Sequence, residues 1–380
     1  MKLSSQNRLA LSIFFFLSGV NFASWTSRIP TIKEGYHLND AELGAILLAM
    51  PISSLVGLPF SGWLVSRFET RVPMLIALLG MTASLFFIGY VNSIPLLIVS
   101  ISVFSFCMRI INIAMNTQSI NLQRLYTKKI VGSFHGLWSL GGLVGVGVST
   151  LMVKLQWAMT THFAIISLST LVIAFLSYQY CIKQDRSETG NKLILGKPDM
   201  FIMYLGLMVF FAAICEGGMF DWSGVYFKDV IKAEVFTYGY LIFISCMSLS
   251  RFCTDKIIDI IGMKRTFTIS ALLIVTGILV AIIWPMFWTA LVGFCMVGLG
   301  TAAVFPITFM LTGDSKKYSP GMAISIVATY GIVGAFIGPP VIGFLSHAFN
   351  LQVAFLVFAL AGFLLIPISR MFFKFKEQQN

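Results

Sequence analysis

Two ionisable side chains stand inside long apolar stretches of this 380-residue chain: Arg109, within Ile101–Met115, and Glu216, within Met208–Phe220. A charge in a hydrocarbon setting costs about 2.5–3.5 kcal/mol on insertion scales, so it persists only beside water or a partner. Arg109, Asn112 and Asn116 are spaced i, i+3, i+7 and share one helix face. A guanidinium and two amides on that face suit hydroxyl-rich or anionic solutes. The same Arg could be structural, paired with Glu216 or capping carbonyls. Glu216 is a candidate proton carrier, with a carboxylate held permanently by Arg109 or His135 as the alternative. Asp221, beside Trp222 at the outer end of the same stretch, is the second candidate for proton coupling, behind the reading that it holds an extracellular gate or simply meets water.

Other polar and aromatic positions join these. His135, Trp138 and Gly142 again follow i, i+3, i+7. A neutral imidazole there could bond a solute or relay a proton, or simply be packed and satisfied. Asn21, Trp25 and Tyr330 are candidate solute contacts, because an aromatic ring with a polar edge suits the face of a sugar. Interfacial anchoring is the competing reading for Trp25. Gly141, Gly142, Gly145 and Gly147, and Gly334, Gly338, Pro339, Pro340 and Gly343, read as close-packing and kink positions.

The elements that must carry these residues follow from composition. Hydrophobic residues make up 57% of the chain and charged ones 11%, with mean hydropathy +0.89. A water-soluble surface needs about 25% charged residues. A soluble fold, a disordered chain and a secreted disulfide scaffold are therefore excluded. The six cysteines lie in or beside apolar runs without a CxxC pair, and read as packing residues. Neither a metal site nor a cofactor is expected. A bilayer core of about 30 Å takes about 20 apolar residues in a helix. Twelve such runs are present, at 9–28, 40–66, 72–91, 94–122, 130–153, 158–181, 199–225, 236–260, 265–284, 287–312, 320–345 and 352–373. The first lacks a small-residue cleavage site and reads as a retained span rather than a signal peptide.

Charge sets the expected orientation. With the amino terminus in the cytoplasm, 20 of the 26 Lys and Arg fall on inner segments, Arg251 among them. Five fall outside (Arg28, Lys33, Lys154, Lys228, Lys232) and Arg109 alone remains within the membrane. Such an excess places both termini inside. The net charge of +11 is then a topology signal rather than a sign of nucleic-acid binding. The charged stretch 183–198 reads as a cytoplasmic linker between an N-terminal bundle, 1–182, and a C-terminal bundle, 199–380.

The two halves echo one another. Gly62–Arg71, after the second span, corresponds to Asp255–Arg265, after the eighth. Phe106-Cys107-Met108 recurs as Phe294-Cys295-Met296, and Trp25-Thr26-Ser27 resembles Trp222-Ser223-Gly224. Twelve spans in two repeats, a central linker and a basic turn after spans 2 and 8 resemble the major facilitator superfamily. Ala23–Pro30, Ile113–Gln118, Ser133–Gly142, Glu216–Trp222, Val327–Gly331 and Gly338–Gly343 further resemble its YbjJ-type bacterial inner-membrane branch, near the fucose permeases.

The resemblance implies an all-α membrane protein of two pseudo-symmetric six-helix bundles, with spans 1, 4, 7 and 10 lining a cavity. It implies gating roles for Arg67, Arg71, Asp259, Lys264, Arg265, Gly338 and Pro339. Ser66 and Glu69 replace the Asp and Gly of that turn, so its acid-to-base lock is carried over only to Asp259 and Gly262. Asn112 stands where relatives commonly have Asp, which closes that route for protons. The expected function is secondary transport of a small polar solute, sugar-like, by alternating access with a proton (sodium not excluded). The expected form is a monomer in the bacterial inner membrane. The alternative is a proton-coupled exporter of drugs or metabolites: Arg109-Ile-Ile-Asn112 weakly resembles the exporters' Arg-x-x-Gln-Gly, yet their fifth-span Gly-Pro pattern is absent. No filter sequence, ATP-binding loop or HExxH motif supports a channel or an enzyme.

Overall fold

The apolar runs fold as helices, and their lengths match the bilayer. The computed structural model describes residues 2–126, 130–183, 199–318 and 320–379, so all of the linker 183–198 except residue 183 lies outside the described residues. In order the helices are α1 (Lys2–Ser27), α2 (Ile29–Gly35), α3 (Asp40–Leu47), α4 (Ala49–Arg67), α5 (Arg71–Tyr90), α6 (Ile94–Gln123), α7 (Val131–Lys154) and α8 (Met159–Tyr178). They continue with α9 (Met200–Asp229), α10 (Tyr238–Ile261), α11 (Met263–Ile283), α12 (Phe287–Thr312), α13 (Pro320–Ala348) and α14 (Leu351–Gln379). The described residues contain no strand.

Eleven spans among the described residues are long and apolar enough to cross a membrane. The expected twelfth is α10. At 24 residues it reaches about 36 Å, but Arg251, two tyrosines and three serines lower its hydropathy. Its Ser250 turns toward a neighbouring helix, where Oγ donates to the Leu299 carbonyl of α12 at 3.1 Å.

The chain divides into two compact units, 1–32 with 49–192, and 33–48 with 193–380. In the first, α1 packs on α7 and α8, α5 on α6 and α8, and α4 on α6. In the second, α9 packs on α13 and α14, α11 on α12 and α14, and α10 on α12. Each pairing in one unit has its counterpart in the other, which is the structural form of the sequence repeat.

Glycines permit the closest pairings. A methyl group on Gly141 of α7 would strike the Phe16 carbonyl of α1, and one on Gly334 of α13 would strike the Phe210 carbonyl of α9. Contact of this kind replaces the hydrophobic drive that lipid removes. Gly262 is needed for its backbone: φ of +79° joins α10 to α11, a conformation that disfavours a side chain.

The segment 33–48 belongs to the second unit. Lys33 pairs with Asp40 and Asp229, Lys228 pairs with Glu34, and the Ser346 hydroxyl bonds Asp40. Gly343 lets α3 approach α13, where a methyl would meet the Asp40 carbonyl. Lys33 and Lys228, expected as plain outer-loop charges, are therefore ion-paired.

Candidate solute and proton sites

In the first unit α6 presents Arg109, Asn112 and Asn116 as a half-buried face, as the i, i+3, i+7 spacing predicts. Arg109 Nε donates to Ser54 Oγ of α4 at 2.8 Å. Its stem lies over Gly57, where a methyl would sit 3.1 Å from Arg109 Cβ. Among the described residues no carboxylate pairs with Arg109, and its two Nη groups have no partner. Asn116 Nδ2 donates to the Asn112 carbonyl at 2.9 Å and to Asn112 Oδ1 at 3.2 Å. The face is thus a set of donors anchored by one neutral hydroxyl.

His135 and Trp138 lie on α7, His135 exposed and Trp138 half-buried. His135 meets Phe15 edge-on at 5.6 Å, and Trp138 tilts over Phe22 at 5.8 Å. Asn21 and Trp25 do not join them at an open surface. Asn21 is 0% exposed. Its Nδ2 donates to Leu17 O and Thr170 Oγ1, both at 2.9 Å, and its Oδ1 accepts from Thr82 Oγ1 at 3.3 Å. It ties α1 to α5 and α8. Trp25, 1% exposed, packs on Phe104 and directs Nε1 to Met50 Sδ at 3.2 Å. Neither anchoring at an interface nor contact with a solute fits such burial, because Phe104 of α6 and Met50 of α4 lie against the indole.

In the second unit Glu216 Oε1 accepts from Arg251 Nη2 at 2.9 Å. The two side chains are 14% and 28% exposed. Glu216 Oε2 is buried without a hydrogen bond. Within its own unit the acid's partner is therefore Arg251. Arg251 is no inner-loop charge: it lies ten residues before the end of α10, roughly 15 Å into the helix. Counting back along the span was the available signal. Asp221 also lies deeper than expected, because α9 runs on to Asp229. Tyr330 of α13 lays its ring on Gly206 of α9, where any side chain would collide with it.

The gating candidates divide between the two turns. Arg67 stacks over Trp63 at 5.9 Å. Arg71 Nε bonds Glu69 Oε2 at 2.7 Å and stacks over Tyr178. Ser66 Oγ donates to the Trp63 carbonyl at 2.8 Å, and Glu69 supplies an acid for the first turn. In the second turn Lys264 bonds Glu377 at 3.2 Å, while Asp259 and Arg265 are exposed. Gly338 is buried, and the Pro339 carbonyl lies against Gly44 of α3.

A further buried cation escaped the sequence reading. Arg28, 4% exposed, donates from Nε to His162 Nδ1 at 3.2 Å and from Nη2 to the Trp157 carbonyl at 3.1 Å. It closes the α1–α8 contact rather than standing in an outer loop. No cluster of three or more metal-ligating side chains occurs among the described residues.

Paired helical repeats with sparse, individually held charges define a polytopic membrane transport fold. The chain belongs to the Major Facilitator Superfamily, whose family model matches residues 10–319 and, overlapping, 246–380. An uncharacterised MFS-type transporter of Yersinia pestis is 29% identical, covering 92% of this chain and 91% of its own. Membrane protein MosC of Rhizobium meliloti is 27% identical over 96% of this chain and 89% of its own. Among solved structures, the nucleoside transporter NupG (D323A mutant) superposes with a TM-score of 0.76 at 16% identity, covering 96% of this chain and 99% of that one. A bacterial homologue of the lysosomal transporter Spinster gives 0.76 at 15% identity, covering 98% and 97%. The protein is a multi-pass membrane transporter of this superfamily.

Proposed function

We propose that the protein moves a small polar, sugar-like solute by alternating access and couples that movement to protons through Glu216. The observation that carries this reading is the isolation of its in-membrane charges. Arg109 is held by a hydroxyl and keeps guanidinium donors for a solute. Glu216 is held by one contact to Arg251, with its second oxygen buried and unbonded. Protonation of that oxygen would release Arg251 without moving a helix. The nucleoside that NupG carries is, like a sugar, a hydroxyl-rich ring compound, which agrees with the donors on α6. We place the monomeric protein in the bacterial inner membrane with both termini cytoplasmic, from its basic segments, and within the YbjJ-type branch near the fucose permeases.

The test begins with a thermal-shift screen of sugars, nucleosides, organic acids and amphipathic drugs. The best ligand is then followed into proteoliposomes under a pH gradient. Glu216→Gln should abolish gradient-driven uptake and spare exchange. Unchanged uptake would remove Glu216 from the proton path. A ligand profile confined to amphipathic drugs would replace the sugar-like reading with export, which a 23% identity to multidrug resistance protein 1 of Bacillus subtilis over 47% of the chain also brings to mind.

A further inference from the structure

Several of the half-buried positions of α9 share one line along the helix. Met203, Leu207, Phe210, Gly217 and Asp221 are half-buried, while most positions between them are covered. At 100° per residue they fall within about 40° of one line along the helix. The covered faces pack on α10, α12, α13 and α14. One half-buried stripe therefore carries Asp221, while the half-buried Tyr204, Phe211 and Glu216 lie off it. A methyl group on Gly217, one turn before Asp221, would touch nothing within 4 Å, so there is room on this stripe beside the carboxylate.

Asp221 is the acid of that stripe, and it differs from the other acids near the spans. Asp40 and Asp229 share Lys33, Glu34 has Lys228, and Glu216 has Arg251. Asp221 has no hydrogen bond or ion pair to any described residue. Its chain neighbours Phe220 and Trp222 are buried. Five residues separate it from Glu216, which turns the two carboxyls about 140° apart around the helix. Glu216 is directed away from the stripe and Asp221 onto it. A carboxylate placed in a span without a protein counter-ion needs water or a ligand beside it.

We propose that Asp221 receives the cationic group of the transported solute, so that the solute class is a polar compound bearing a protonated amine. An ammonium group supplies the positive charge that the fold withholds from this one acid. Its N–H donors match the lone pairs of both carboxylate oxygens. The half-buried stripe gives it access, and the room beside Gly217 accommodates the attached frame. This inference rests on the reading of the protein as a solute transporter, and it assigns to Asp221 a role distinct from proton carriage at Glu216.

The test is equilibrium binding to the purified full chain at neutral pH, without a gradient. Glucosamine is compared with glucose, and putrescine with butanediol, each amine with a neutral partner of similar shape. The amines should bind more tightly than their partners by roughly tenfold or more. Asp221→Asn should remove that preference, whereas Asp221→Glu and Glu216→Gln should keep it. In the wild type, the bound amine should also protect Asp221 from carbodiimide modification, which tests the site even if the Asn variant folds poorly. Equal binding of amine and neutral partner, no binding of either amine, no protection, or a preference surviving in Asp221→Asn would each overturn the assignment. Failure of the proton reading appears separately, as unchanged gradient-driven uptake in Glu216→Gln.

Discussion

Replacing Arg251 with Met keeps most of the stem volume and removes the charge that faces Glu216. The ion pair measures 2.9 Å, and the two side chains are 28% and 14% exposed. Breaking a fully buried pair by deleting one partner costs about 3–5 kcal/mol, because the other charge is left without compensation. Solvent screening at this partial exposure lowers the cost to about 2–3 kcal/mol. Glu216 Oε2 is already unbonded, so losing Arg251 strips the remaining described ion pair from the carboxylate. At about 2–4 °C per kcal/mol for a folding unit of 150–250 residues, the melting temperature should fall by about 5–10 °C. The double variant Arg251→Met with Glu216→Gln removes the stranded charge and should regain most of the loss, a coupling that a double-mutant cycle isolates. The assay is thermal unfolding of the purified chain in detergent, followed by intrinsic tryptophan fluorescence. A single variant within about 1 °C of wild type, or a double variant no more stable than Arg251→Met, would refute the pairing and its energetic role.

The other expectations are simpler. Gly141→Val should prevent stable folding, because its side chain meets the Phe16 carbonyl, while Gly147→Ala should be tolerated because nothing lies within 4 Å; fluorescence-detected size exclusion of the two proteins side by side distinguishes them. Arg109→Ala should weaken solute binding by roughly tenfold or more, as expected on loss of charge-assisted hydrogen bonds, and leave the melting temperature nearly unchanged because the described partner is a single serine. Equal affinity in a thermal-shift titration would take Arg109 out of the solute site.

Much of the architecture was legible from residue order. Apolar runs of bilayer length, the echo of Gly62–Arg71 in Asp255–Arg265 and the clustering of basic residues between runs lead to two six-helix halves. The face of Arg109, Asn112 and Asn116 was legible too, because helical periodicity belongs to a single helix. The polar span α10 was harder: its Ser250 and Arg251 are tolerated because α12 and α9 receive them. Arg251 was misplaced because a count of charges between spans does not record how far into a helix a residue sits. Asn21 and Trp25 were misjudged for a related reason. A polar or amphipathic side chain on a helix can face an opening or another helix, and Thr82 and Thr170 on two other helices decide which.

The sequence by itself determined that this chain is a helical, two-repeat membrane protein, because hydropathy and helical period are local properties. Only the tertiary structure decided that Glu216 answers to Arg251, that Arg28 is buried against His162, and that the half-buried Asp221 has no hydrogen bond or ion pair among the described residues. Those outcomes depend on which helix covers which face, and the pairing of helices is set by close glycine contacts between segments far apart in the chain.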